Sequence, residues 1–160
     1  MDNRQDTVDI GKVGQGRVTI KFLSGIFCNR GGTVNCQYGA ATYEQFLLAR
    51  NTNDKYTIGS IEFPNVFLRM NGSGVTKPTA PGGGIVNCQY TAHSWEHYTI
   101  TQQGSCEFTI GSNAFPNVFL RMDGSGVTQP MAPGGGTVNC QYTAGSYEHY
   151  RIINASYWSV

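Results

Sequence analysis

Apolar and polar residues alternate with a period of two along most of the chain. Val66, Leu68 and Met70 are separated by Phe67, Arg69 and Asn71; Val86, Cys88 and Tyr90 by Asn87 and Gln89; Glu96, Tyr98 and Ile100 by Trp95, His97 and Thr99. Runs this short, bounded by Gly, Pro, Asn and Ser, predict strands with one buried face. The spacing predicts strands at 56–63, 66–71, 85–90 and 95–101, and no stretch carries a sustained helical stripe.

The same pattern recurs. Residues 59–100 align without gaps to 111–152, with 33 of 42 positions identical at an offset of 52. A more diverged copy lies upstream, where Gly32–Tyr38 and Tyr43–Phe46 precede their counterparts by the same 52 residues. Val18–Lys21 answers Val66–Arg69 at an offset of 48, so the first copy is four residues shorter in its Gly/Pro-rich loop. About four strands per copy, taken three times, predict an all-β chain that closes on itself, because open sheet edges invite aggregation. The expected fold class is a β-trefoil forming one domain, 1–160, with repeats at about 7–52, 53–104 and 105–160.

Composition narrows the function classes. Charged residues are 13% of the 160, Lys plus Arg number 11 against 10 Asp plus Glu, and the net charge is +1. Such a balance gives no basic groove for nucleic acid and no cationic membrane patch. No apolar run is long enough to span a bilayer, so membrane insertion is not expected. Five cysteines are an odd number and too few for a disulfide scaffold. With a polar segment at Met1–Asp9 in place of a signal-peptide core, the expectation is a cytoplasmic protein, with release by a non-classical route as the alternative.

Three strings carry a family resemblance. They are Val-x-Leu-Arg at 66–69 and 118–121, Gly-Gly-x-Val-x-Cys at 83–88 and 135–140, and Tyr/Trp-Glu-x-Tyr-x-Ile at 95–100 and 147–152. Together they resemble the fascin-like trefoil repeat, and hisactophilins look similar, over about residues 8–153. Ricin-type lectin trefoils are a weaker match: Glu44-Gln45-Phe46, Glu96-His97-Tyr98 and Glu148-His149-Tyr150 stand at their Gln-x-Trp position. The resemblance implies the fold and leaves function open, since trefoils serve as actin bundlers, lectins, cytokines and protease inhibitors.

Glu44, Glu96 and Glu148 share the inward parity of the aromatic that follows each. A carboxylate there is expected to accept backbone N–H bonds and fix a turn. Threefold equivalence denies the carboxylates the unlike environments of an acid/base pair, so the chain is expected not to be an enzyme. Cys36, Cys88 and Cys140 recur at inward positions and read as small buried apolar residues. Cys28 and Cys106 fall outside the repeat, and a disulfide between them stays open. His93 and His97 straddle a turn, so neither a metal nor any other cofactor is expected.

The outward set is the most informative. In the second repeat it comprises Phe67, Arg69, Asn71, Asn87, Gln89, Trp95 and His97; in the third, Phe119, Arg121, Asp123, Asn139, Gln141, Tyr147 and His149. Aromatic rings among short amides suit a sugar, whose C–H face packs on the ring while its hydroxyls pair with the amides. The first repeat offers Thr19, Lys21, Asn35, Gln37, Tyr43 and Gln45, which lack the Phe and His. This predicts a metal-independent lectin with two competent sites and one degenerate one, multivalent toward glycans or glycoconjugates. An actin-binding protein is the alternative implied by the fascin resemblance, and a protease inhibitor using loop 71–84 or 123–136 is a third. Tyr157–Val160 is expected to close the barrel against residues 7–13, and an exposed Trp158 would offer a homodimer contact.

Overall fold

A computed structural model describes residues 5–12, 18–22, 32–38, 45–104, 107–129 and 135–154. Twelve strands are described: β1 (Gln5–Lys12), β2 (Val18–Phe22), β3 (Gly32–Tyr38), β4 (Gln45–Arg50), β5 (Tyr56–Ser60), β6 (Val66–Asn71), β7 (Ile85–Tyr90), β8 (Tyr98–Gln102), β9 (Phe108–Ser112), β10 (Val118–Asp123), β11 (Thr137–Tyr142) and β12 (Tyr150–Asn154). Six of them form a ring of antiparallel pairs, β1–β4–β5–β8–β9–β12 and back to β1. The other six make three hairpins, β2–β3, β6–β7 and β10–β11, one per repeat. A six-stranded barrel capped by three hairpins is a β-trefoil, as the repeat predicted. Closure leaves the barrel strands no free edge.

Alternation decides which side chains enter the core. On β6 the burial reads strictly in and out, with Val66, Leu68 and Met70 buried, and β10 buries Val118, Leu120 and Met122. Tyr98 and Tyr150 are wholly buried, and each phenol donates to a hairpin carbonyl at 2.8 Å, Leu68 O and Leu120 O respectively. These bonds tie barrel to cap, and they satisfy a hydroxyl that burial would otherwise penalise.

Three local expectations change. The strand predicted over 56–63 stops at Ser60, whose hydroxyl accepts the Phe63 N–H at 3.1 Å and turns the chain. The one predicted over 95–101 begins at Tyr98, because Ser94–Glu96 form a 3-10 turn. Tyr90 has the inward parity yet is half exposed, since it lies at the end of β7 where the chain turns at Thr91.

The cap closes by a cyclic handover. Gly32 at the start of β3 pairs with Cys88 on β7, Gly83 with Cys140 on β11, and Gly135 with Cys36 on β3. Each Gly-rich loop end thus lies against the cysteine strand of the next repeat. Gly84 and Gly136 have φ of +63° and +67°, and a Cβ on either would sit 2.6 Å from a backbone oxygen and 2.9 Å from a cysteine sulfur. Both conformation and space therefore demand glycine. Gly84→Ala or Gly136→Ala is expected to cost about 1–3 kcal/mol from backbone strain alone, read as a lower urea midpoint at unchanged slope.

Candidate functional site

The turn before β8 sets one side of the candidate surface. Glu96 is buried, and its Oε2 accepts the His93 N–H at 2.7 Å; Glu148 does the same for Gly145 at 2.7 Å. The expected turn-fixing role is thus met in the second and third repeats. Each carboxylate also faces an arginine from the preceding hairpin, at 3.6 Å for Arg69 Nε and 3.7 Å for Arg121 Nε. Burial first, then the neighbouring Glu charge, pushes the Tyr98 and Tyr150 phenols well above their ordinary range.

The two arginines lie over the predicted sugar-stacking rings. Arg69 Cζ is 4.3 Å from the Trp95 centroid, and Arg121 Cζ is 4.7 Å from that of Tyr147. Trp95 also meets Phe115 of the third repeat at 5.6 Å and 52°. Both rings are half-buried, so each stacks on a guanidinium as part of a Glu–Arg–aromatic brace.

Arg121 corrects the expectation of an outward side chain, being only 3% exposed. The reason is a roof. Residues 79–81, from the loop of the second repeat, lie on the outer face of β10–β11. Gln141 takes both main-chain groups of Thr79: its Nε2 donates to Thr79 O at 2.6 Å and its Oε1 accepts Thr79 N–H at 3.1 Å. Asn139 Nδ2 donates to Pro81 O at 2.8 Å, and Arg121 donates to Ala80 O at 3.3 Å and to Asp123 at 3.4 Å. Gly82 makes the approach feasible: at φ +73°, a Cβ would lie 2.6 Å from Asn139 Oδ1. The third-repeat amides point outward as expected, but the protein's own loop occupies them. Loop 71–84 is consequently pinned along its second half, unlike a protruding inhibitor loop.

The second-repeat face carries the same groups, and no main chain among the described residues takes them up; residues 27–29, the counterparts of 79–81, lie outside the described residues. Gln89 Oε1 accepts the N–H of Tyr90 at 3.2 Å, as Gln141 Oε1 accepts that of Tyr142 at 3.1 Å, so the two amides share one orienting bond. Asn87 Oδ1 receives Arg69 Nη1 at 3.4 Å. Among the described residues, neither Asn87 Nδ2 nor Gln89 Nε2 donates to the protein. The Arg69 side chain is 22% exposed against 4% for Arg121. Asn71 stands where the third repeat has Asp123, so Arg69 has one carboxylate partner where Arg121 has two. Asp123 titrates below the usual carboxylate range, chiefly because the Ser125 hydroxyl and N–H bond it, with Arg121 adding to the effect.

No protein-family model and no curated protein matches the chain. Solved structures do. A mosquitocidal holotoxin superposes with a TM-score of 0.71 at 13% identity, covering 100% of this chain and 18% of that one. SeviL bound to asialo-GM1 saccharide gives 0.65 at 11%, covering 95% and 99%, and the Polyporus squamosus lectin bound to a sialylated epitope gives 0.69 at 15%, covering 95% and 50%. The likeness is one of fold.

Other predicted residues take quieter places. Phe67 and Phe119 lie half-buried with their rings against Gly59 and Gly111. His97 and His149 donate from Nδ1 to the carbonyls of His93 and Gly145, both at 2.6 Å, which ties each ring to its own turn. Cys36, Cys88 and Cys140 are buried thiols outside any disulfide, and burial pushes the Cys140 thiol up to about 12. In the first repeat, Asn35 is half-buried on β3. The side chains of Thr19, Lys21, Gln37 and Gln45, together with residues Tyr43, Glu44, Cys28, Cys106 and Tyr157–Val160, lie outside the described residues. So do residues 130–134 of loop 123–136.

Sequence reasoning missed two participants. Thr79–Pro81 fill the third-repeat face through main-chain atoms, which leave no side-chain signature. The Glu–Arg pairs join residues 27 positions apart (96 − 69 and 148 − 121) that a parity argument assigns to opposite faces. Because Arg121 is nearly sealed, Glu148→Gln is expected to cost about 3–5 kcal/mol. Glu96→Gln, beside the more exposed Arg69, is expected to cost about 1–3 kcal/mol. Chemical denaturation of the two variants checks the order.

Proposed function

We propose that the chain is a non-catalytic, metal-independent carbohydrate-binding protein whose site is the second-repeat face formed by Arg69, Asn87 and Gln89. The observation that carries this reading is the contrast between two nearly identical faces. In the third repeat the Asn–Gln pair is spent on residues 79–81; in the second, the amide donors of the same pair meet no acceptor among the described residues and sit beside a partly exposed arginine. A saccharide supplies what that array lacks, a set of closely spaced oxygens that both accept and donate. Trefoils of this architecture are bound to saccharides in two of the structural neighbours.

The reading also assigns Trp95 a different part from direct stacking. Its face is taken by Arg69, so the ring holds the guanidinium toward the ligand. One shallow site of this kind gives an affinity near millimolar, about −4 kcal/mol. Glycans or glycoconjugates would reach useful avidity through several copies of the chain.

A glycan array followed by calorimetry tests this. Binding is expected to be lost in the double variant Asn87→Ala, Gln89→Ala. Asn139→Ala with Gln141→Ala should instead lower thermal stability and leave glycan affinity within about twofold, because those amides serve the loop. The absence of any bound glycan, or binding untouched by the first pair, would remove the proposal.

A further inference from the structure

Of the twelve asparagines in the chain, Asn71 alone is followed by glycine. The fold imposes that glycine: a Cβ at Gly72 would lie 2.9 Å from Val118 Cγ1 and 3.1 Å from Phe115. Asn71 ends β6 and is half-buried, while Ser73 beyond it is exposed. Its Oδ1 accepts the Ser73 N–H at 3.1 Å. That bond closes a ring of the Asx-turn kind, which contains both Asn71 Cγ and the Gly72 nitrogen. Attack of this nitrogen on Cγ would put negative charge on Oδ1, where the Ser73 N–H already points. No Cβ on Gly72 crowds the approach.

We propose that Asn71 is a self-modifying site: it deamidates without an enzyme, and the aspartate formed gives Arg69 the second carboxylate that Arg121 has in the third repeat. The Gly72 nitrogen loses its proton to hydroxide and bonds to Cγ. The Cγ–Nδ2 bond breaks and ammonia leaves, closing a five-membered succinimide. Water then adds at one of the two ring carbonyls. Breaking the nitrogen's bond to Cγ restores the main chain with an aspartate in it. Breaking its bond to the main-chain carbonyl carbon leaves isoaspartate, with one more carbon in the chain. Packing separates these outcomes. Gly72 O accepts the Val75 N–H at 3.0 Å, Asn71 O accepts from the Cys140 thiol at 3.8 Å, and Gly72 has no room to spare against Val118. A lengthened main chain disturbs all three contacts, whereas the aspartate leaves them in place.

The third repeat displays the product state. Asp123 stands at the matching position and accepts the Ser125 N–H at 3.1 Å, as Asn71 accepts that of Ser73. It also receives the Ser125 hydroxyl at 2.7 Å and Arg121 at 3.4 Å. Ser73 and Arg69 bring the same two donors to position 71.

The test is to hold the full chain in warm, mildly alkaline buffer and follow it by ion-exchange chromatography and peptide mass mapping. Asn71 is expected to convert about tenfold faster than any other asparagine, the scale of one steric term in a barrier. Its conversion lowers the net charge from +1 to zero. Aspartate should exceed isoaspartate at this position in the folded chain and yield to it in guanidinium chloride, where packing no longer selects. Asn71→Gln should abolish the acidic form, because the longer side chain closes a ring slowly. Asn71→Asp should raise the urea midpoint by an amount that shrinks with added salt. Retention of the Asn71 amide while other asparagines convert would overturn the proposed site. Isoaspartate as the main product in the folded chain, or no rise in midpoint for Asn71→Asp, would overturn the pairing with Arg69.

Discussion

A missing side chain holds the cap together. At Gly84 and Gly136 the chain turns with positive φ in a space bounded by a carbonyl oxygen and a cysteine sulfur, where a methyl group would not fit. This lets each Gly-rich loop end reach the next repeat and pair with its cysteine strand. The small buried thiol is the counterpart of the missing Cβ: a larger residue at 36 or 140 would push the loop away. Once the second-repeat loop is anchored by Gly83 on Cys140, its preceding residues are delivered onto the outer face of the third repeat. Thr79, Ala80 and Pro81 come to rest on Gln141, Arg121 and Asn139 for that reason. A backbone constraint in the cap thereby decides which polar side chains on the surface are already satisfied.

Electrostatics then separates the two faces. Arg121 sits between Glu148 and Asp123 and is sealed under the loop; a buried cation is tolerable only with such partners. At the matching position the second repeat has Asn71, which cannot supply the second negative charge. Arg69 accordingly pairs with Glu96 alone, reaches toward the Asn87 amide, and stays partly in solvent. The carboxylate–amide exchange between otherwise like hairpins thus goes with an arginine that is sealed in one repeat and partly exposed in the other.

The fold was legible because it rests on alternation and repetition, both of which are one-dimensional properties. Val66, Leu68 and Met70 have to face one way if Phe67, Arg69 and Asn71 face the other, and three such units have to close. The turn-fixing role of Glu96 and Glu148 was legible for the same reason, from parity with the tyrosine two residues on. What alternation cannot carry is contact between repeats. Arg121 has outward parity and is nevertheless buried, because a loop from another repeat covers it. Trp95 and Tyr147 have outward parity and are half-buried, because a guanidinium lies on each ring. Outward on a strand means away from that strand's own core, which differs from exposed whenever another segment packs above.

Main-chain recognition also explains how the faces can diverge while the repeats stay so alike. Gln141 holds the N–H and C=O of Thr79 and not its side chain, whose hydroxyl donates instead to Gly82 O at 2.9 Å, and the third repeat has Met131 at the corresponding place. The receiving residues have no such freedom: an amide of the right length must stand at 139 and 141. The same Asn-x-Gln spacing stands at 35 and 37, 87 and 89, and 139 and 141. A pair used structurally in the third repeat thus stands in register in the second, where the Tyr90 N–H already orients Gln89. Wherever the incoming main chain does not take it up, the fold presents a preformed donor–acceptor edge at the surface, and a binding site needs little more than the withdrawal of an internal occupant.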